Sequence, residues 1–128
     1  MSQVYLFALA SQQNRWLSVR QSVVAGNVAN ANTPGYVAQD VTPFAAAVSD
    51  VSAKMTATDS RHLGLAEGAN GAPRIENRPV TEGEITHSGN SVNLEQELIK
   101  AGEINRTYRL NTNVMKSFHR MMLASMKG

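Results

Sequence analysis

Gly26-Asn27-Val28-Ala29-Asn30-Ala31-Asn32-Thr33-Pro34-Gly35-Tyr36 marks the place where a long apolar periodicity stops. Pro34 pre-sets φ for the first central position of a turn, Gly35 takes the positive φ of the second, and the proline pushes Thr33 into extended backbone. The stretch is therefore a helix end followed by a tight turn. Asn27 and Asn30 lie one helical turn apart, so their amides share a face and can bond main-chain groups that a helix end leaves unpaired. On local chemistry alone, asparagines and a Thr-Pro-Gly turn suit any helix-to-loop junction.

Working back from this turn, residues 4–30 read as one helix. Ala10, Leu17, Val24 and Ala31 recur every seven residues, flanked by Leu6, Phe7, Leu9, Trp16, Val23 and Val28. Gln13, Arg20, Gln21 and Asn27 interrupt the stripe, which favours a wide face touching more than one neighbour over a strictly dry coiled-coil seam.

Working forward, the composition changes. All four prolines and six of the nine glycines fall between Asn32 and Asn93, and Thr56 to Asn93 is mostly polar, too polar to bury much core. A short helix is expected with Thr42 as N-cap, Pro43 at its first position and Phe44, Ala47, Val48, Val51 and Met55 at helical spacing. The segment Pro73 to Ile85 fits two readings equally, short strands around Arg74-Ile75-Glu76 and Pro79-Val80-Thr81 or local disorder in the isolated chain, and the middle as a whole is expected to be partly disordered.

The last segment is the clearest helix. Asn93 with Gln96 three residues on makes a capping-box pattern, Glu95 and Glu97 complement the positive end of the helix dipole, and cations crowd the later turns. Leu94, Ala101, Tyr108, Met115 and Met122 keep a seven-residue period, with Leu98, Ile104, Phe118 and Met126 beside them. Gly102 inside the pattern weakens the helix by about 1 kcal/mol relative to Ala and suggests a close backbone approach or a flexible point. A helix over 94–126 is about 50 Å long, whereas a compact chain of this size has a radius of gyration of about 14 Å. Such a helix must be covered by the N-terminal helix or by other molecules. Met115, Met121, Met122 and Met126 suit both kinds of packing, since the thioether is soft and adaptable.

The fold expected is mainly α: long N- and C-terminal helices, in segments 1–31 and 93–128, pair antiparallel in a coiled-coil-like module. The Gly/Pro-marked segment 32–92 between them holds one short helix and short strands. With 128 residues this is one domain at most, and an aromatic content of 5% gives it a thin core. Residues 1–39 carry two bases and no acid, residues 40–105 carry all ten acids against five bases, and residues 106–128 carry five bases and no acid. The total of +2 thus conceals basic ends around an acidic middle. The terminal cations are too sparse for a nucleic-acid footprint and fit the dipole of the last helix better.

Several chemistries are disfavoured. The chain has no cysteine, so it lacks disulfides and thiolate ligands. His62, His87 and His119 are far apart and none has a partner one turn on, so no zinc motif forms. The pairs Glu82/Glu84 and Glu95/Glu97 read as a solvated turn and a helix start. No catalytic residue, cofactor site or metal site is expected. No apolar run approaches a membrane span, and the start MSQVYLFALASQQNR lacks the basic region and cleavage site of a secretory signal.

The Asn-rich stretch also carries a resemblance. Asn27-Val28-Ala29-Asn30 and Thr33-Pro34-Gly35-Tyr36 resemble the N-terminal signature ANNxANxxTxGY of bacterial flagellar axial proteins, the rod, hook and hook-associated family. Gly26 stands where the family usually has Asn. The motif residues carried over are Asn27, Ala29, Asn30, Thr33, Pro34, Gly35 and Tyr36. Thr58-Asp59-Ser60-Arg61-His62-Leu63, the run from Gly89 to Glu97, Tyr108 and Lys116-Ser117-Phe118 are similar to the proximal-rod branch of that family. The sister proximal rod protein FlgC usually ends on a pattern AsxAYxAN, which Ile104-Asn105-Arg106-Thr107-Tyr108-Arg109 fits poorly.

This resemblance implies a structural subunit of the proximal rod, in the periplasmic part of the flagellar basal body, exported without a cleavable signal through the flagellar type III apparatus. It implies as partners FlgC and other rod proteins, the rod adapter FliE, the export gate and copies of the chain itself. Leu17, Val24, Leu98, Tyr108, Met115 and Phe118 are the residues expected to pack in the assembly interface. The alternatives are FlgC itself, or a small helical adaptor that binds a regulator or a membrane surface through its basic C-terminal helix.

Overall fold

The computed structural model describes residues 2–52, 73–79 and 85–128. Two helices set its frame: α1, Ser2–Ala29, and α3, Leu94–Lys127. They run antiparallel, because successive contacts up α1 descend α3. The Phe7 and Phe118 rings meet edge to face at 5.6 Å between centroids, and Asn111 Nδ2 donates to the Ala10 carbonyl at 3.0 Å. Leu17 then packs on Ile104, and Asn27 Nδ2 donates to Glu97 Oε2 at 3.1 Å. The antiparallel pair expected from the two heptad patterns is therefore present. At the helical rise α3 is about 51 Å long and α1 about 42 Å.

Leu17, Val24 and Ile104 form the core between the helices, with Trp16 and Ala101 packed against it. Of the N-terminal column, Ala10, Leu17 and Val24 are buried. On α3 the buried column is Glu97, Ile104 and Asn111, also seven residues apart but one column over from the apolar one. Leu94 and Tyr108 stand about half exposed, and Ala101, Met115 and Met122 lie half-buried along the edge. Polar side chains can occupy the seam because α1 satisfies them: Asn111 Nδ2 also donates to Asn14 Oδ1 at 2.7 Å. Gly102 is exposed and an added Cβ there meets nothing within 4 Å, so no close approach explains it.

Asn93 caps α3 as expected, with extended backbone and its Oδ1 accepting from the Glu95 N–H at 3.0 Å and the Gln96 N–H at 3.3 Å. The Gln96 carboxamide oxygen accepts from Arg78 Nη1 at 2.8 Å.

Between the long helices lie β1, Gln39–Val41, α2, Phe44–Ser52, and β2, Ile75–Asn77. The strands pair antiparallel with Asp40 opposite Glu76, and bonds from Thr42 N–H to the Arg74 carbonyl and from Arg78 N–H to the Ala38 carbonyl extend the ladder at both ends. The expected strand at 74–76 is found one residue along, but its partner β1 was not anticipated. Pro79 lies outside any strand, and Val80 and Thr81 lie outside the described residues. α2 begins at Phe44, with the Pro43 carbonyl accepting from Ala46 and Ala47. Thr42 Oγ1 accepts instead from the Arg74 N–H at 3.3 Å. Met55, His62 and the whole Thr58–Leu63 segment lie outside the described residues.

Candidate functional site

The end of α1, the turn after it, β1, the loop at 85–93 and the start of α3 converge on one junction. Tyr36 N–H donates to the Thr33 carbonyl at 3.3 Å across Pro34 and Gly35, and Gly35 has φ +71°. This is the turn the sequence predicts, of type II. A second turn from Thr86 to Gly89 stacks on it: Gly35 N–H donates to the Ser88 carbonyl at 2.9 Å and Ser91 N–H to the Tyr36 carbonyl at 3.1 Å. A Cβ at Gly89 would lie 3.5 Å from the Gly35 Cα, so the two turns touch through glycine backbone.

Asn27 is fully buried at the centre of the junction. Its Nδ2 donates to the Gln39 carbonyl at 2.7 Å and to Glu97, while its Oδ1 accepts from the Gln39 N–H at 3.0 Å and the Tyr36 hydroxyl at 3.3 Å. The amide thus pairs with the main chain of Gln39 in β1 as a neighbouring strand would, rather than capping its own helix. Asn30 has the local role: its Nδ2 donates to the Gly26 carbonyl at 2.9 Å and its Oδ1 accepts from the Thr33 hydroxyl at 3.1 Å. Asn90, also buried, completes the helix end by donating to the carbonyls of Asn30 and Thr33 at 2.8 and 2.7 Å. Ala29, Thr33, Pro34 and Gly35 are exposed and Tyr36 is half-buried. Nothing lies within 4 Å of a Cβ built on Gly26, so the departure from Asn there leaves open space.

An ionic chain runs through the same junction. The buried Glu97 carboxylate faces Arg78 at 3.6 Å and Lys100 at 3.5 Å. Lys100 also binds Asp40 at 2.8 Å, and Arg20 spans Asp40 and Glu103 at 3.7 and 3.8 Å while lying over the Trp16 ring. Burial by itself raises the Asp40 pKa. The Lys100 ammonium bonded to it, the Val41 N–H and the Arg20 charge outweigh that and hold the carboxyl below its ordinary range. Arg78 Nη2 donates further to the Ser91 carbonyl at 3.1 Å, and Ser91 Oγ accepts from the Ala38 N–H at 2.9 Å.

Asn90, Ser91, Glu97, Arg78 and Asp40 were missed as junction residues. Asn90 and Ser91 belong to the run that carries the proximal-rod resemblance, which was the available signal. A carboxylate in a first helical turn reads as a dipole partner, and nothing local to Glu97 says that it is buried.

The expected interface residues divide. Leu17 and Val24 lie in the core between α1 and α3, Met115 and Phe118 are half-buried, and Leu98 and Tyr108 project outward at 69% and 52% exposure. Leu110, Val114 and Met121 form a second exposed apolar flank that the sequence reading did not single out. Among the described residues, no group of His, Asp and Glu is arranged to hold a metal, and no helix is long and apolar enough to cross a membrane.

A long two-helix stalk, locked at one end by buried amides and, among the described residues, uncovered along its apolar flanks, defines a helical assembly subunit. A family profile described as "Flagella basal body rod protein" matches residues 8–36, which span most of α1 and the Asn-rich turn. The chain is 47% identical to the flagellar basal body rod protein FlgB of Agrobacterium fabrum over 99% of its own length and 96% of that protein. It is 29% identical to FlgB of Aeromonas hydrophila, over 87% of this chain and 84% of that one. To FlgB of Salmonella typhimurium it is 26% identical, over 85% and 83%. The chain therefore belongs to the flagellar basal body rod protein family. These likenesses favour neither the FlgC nor the adaptor alternative.

Proposed function

We propose that this chain is a structural subunit of the proximal rod, carries torque across the periplasm, and reaches its place through the flagellar type III export apparatus. Membership of the family makes it a structural rod subunit of the basal body. The observation that supports the finer reading is a stalk about 50 Å long whose outward apolar side chains, Leu98, Tyr108, Leu110, Val114 and Met121, have no cover within the described residues. The junction gives those flanks a stiff base. On this reading Leu98, Tyr108, Met115 and Phe118 meet neighbouring subunits, while Leu17 and Val24 act indirectly by clamping α1 to α3. The partners proposed are FlgC and other rod subunits, the rod adapter FliE, the export gate and copies of this chain.

Assembly and folding are coupled in this proposal. The core cluster lies in the junction half, and beyond Asn111 the ring contact of Phe7 with Phe118 is a thinner hold. The distal turns fray in a dilute monomer and neighbours in the rod complete them. Circular dichroism that finds the full helicity of both long helices in dilute monomer, with one cooperative melt, rejects the coupling. For the function itself, the gene is deleted in the source bacterium and basal bodies are imaged: rings without rods are expected, and intact flagella overturn the reading.

A further inference from the structure

The two strands are held to the stalk in different ways. β1 is fixed to α1: the Asn27 amide takes both main-chain groups of Gln39, Trp16 Nε1 donates to the Thr42 carbonyl at 2.7 Å, and Ala38 and Val41 are buried. β2 packs on β1, and no comparable packing joins β2 to either long helix among the described residues. Arg74, Ile75, Glu76 and Asn77 are all exposed.

The hydrogen bonds divide β1 by side. Thr42 N–H reaches the Arg74 carbonyl at 2.9 Å and Arg78 N–H the Ala38 carbonyl at 2.8 Å, with Asp40 opposite Glu76 between them. Residues 38, 40 and 42 therefore turn their main-chain groups to β2, whereas Gln39 turns its own to Asn27. A two-stranded ladder of this length is at best marginal in water by itself. Arg78, at the end of that ladder, reaches across to the base of α3. Its Nη1 donates to the Gln96 carboxamide oxygen at 2.8 Å and lies 3.6 Å from the buried Glu97 carboxylate, while its Nη2 donates to the Ser91 carbonyl at 3.1 Å. One guanidinium thus ties β2 to the first turn of α3 through charge-assisted bonds. Glu97 does not depend on Arg78 alone, because Asn27 and Lys100 also meet it.

We propose that β2 is a strap that opens as a unit while α1, β1 and α3 stay closed, and that Arg78 is its latch. Opening breaks the β1–β2 ladder and the contacts of Arg78 with Ser91, Gln96 and Glu97. It leaves intact the Leu17, Val24 and Ile104 core, the Asn27 bonds to Gln39 and the Trp16 bond to Thr42. The main-chain groups of Ala38, Asp40 and Thr42 are then uncovered on a strand that α1 still holds in place. The junction is rigid on one side of β1 and separable on the other.

Amide hydrogen exchange on the full-length chain distinguishes the two sides. In the wild type under low urea, the Thr42 and Arg78 amides are expected to exchange through a local opening that depends little on urea, and those of Leu17 and Ile104 only through a steeply urea-dependent unfolding. Arg78→Met keeps an unbranched stem and removes the guanidinium. It is expected to speed exchange at Thr42 by about tenfold or more and to leave Gln39, Leu17 and Ile104 within about twofold. Trp16 fluorescence is expected to be unchanged. A Gln39 amide that accelerates together with Thr42 overturns the strap, because the whole junction then opens at once. A Thr42 rate close to that of the wild type overturns the latch. Should the variant be too unstable to compare, the wild type decides: one common urea dependence for Thr42, Arg78 and Leu17 overturns the proposal. None of these results bears on the deletion phenotype, so the rod reading stands or falls separately.

Discussion

Replacing Asn27 by alanine isolates what the buried amide does. The substitution removes four hydrogen bonds, two to the main chain of Gln39, one to Tyr36 and one to the carboxylate of Glu97. A neutral bond contributes about 1 kcal/mol net and one to a charged group about 1.5–3 kcal/mol, while a buried N–H left without a partner costs about 1–3 kcal/mol. Some of this is recovered if water enters the space, so the expected loss is about 3–5 kcal/mol. Against a typical total of about 5–15 kcal/mol, that is a large fraction. Asn30→Ala removes only two local bonds from a half-buried side chain and is expected to cost about 1 kcal/mol. Asn27→Asp keeps the size but loses the donor facing Gln39 and Glu97 and adds like charge beside Glu97, so it should be at least as damaging as alanine. The assay is urea unfolding followed by fluorescence of Trp16, which donates to the Thr42 carbonyl at 2.7 Å and packs near Phe44 in the same half of the molecule. Equal losses for Asn27→Ala and Asn30→Ala, or a loss below about 1.5 kcal/mol for the former, would refute this account of the junction.

Three further outcomes are expected. Asp40 has a lowered pKa in the folded chain, so its contribution to stability is complete above its unfolded value near about 3.9 and is lost as pH falls through the folded value. Acid titration of the Trp16 signal should show this loss, and Asp40→Asn should flatten it. Gly35→Ala forces an L side chain into the left-handed region at φ +71° and should lower stability by about 1–2 kcal/mol in the same urea assay, although space for the Cβ exists. Gly102→Ala, with nothing within 4 Å of the added Cβ on an exposed helical site, should stabilise by about 1 kcal/mol and raise Tm by a few degrees; a lowered Tm would show that the glycine has a packing role.

Some features of the fold were legible because their causes are local. Asn93 caps α3 by its own side chain, and Pro34 with Gly35 dictates a turn whatever surrounds it. The column Ala10, Leu17 and Val24 is buried because the apolar period of α1 coincides with the side that α3 covers. On α3 the same reasoning chose the neighbouring column. Apolarity marks where a helix can be covered, but α1 instead covers Glu97 and Asn111, which it satisfies with Asn27, Asn14 and the Ala10 carbonyl.

The sequence by itself therefore determined two long antiparallel helices, their ends, the turn between α1 and the middle, and the family signature, since each depends on residues within a few turns of one another. Only the tertiary structure decided what the signature asparagines bind. Asn27 reaches Gln39 and Glu97, separated from it by 12 and 70 residues, and Asn90 returns across 60 residues to close the end of α1. A buried polar group is defined by the partners that desolvate and bond it, and those partners are brought together by the packing of α1 on α3.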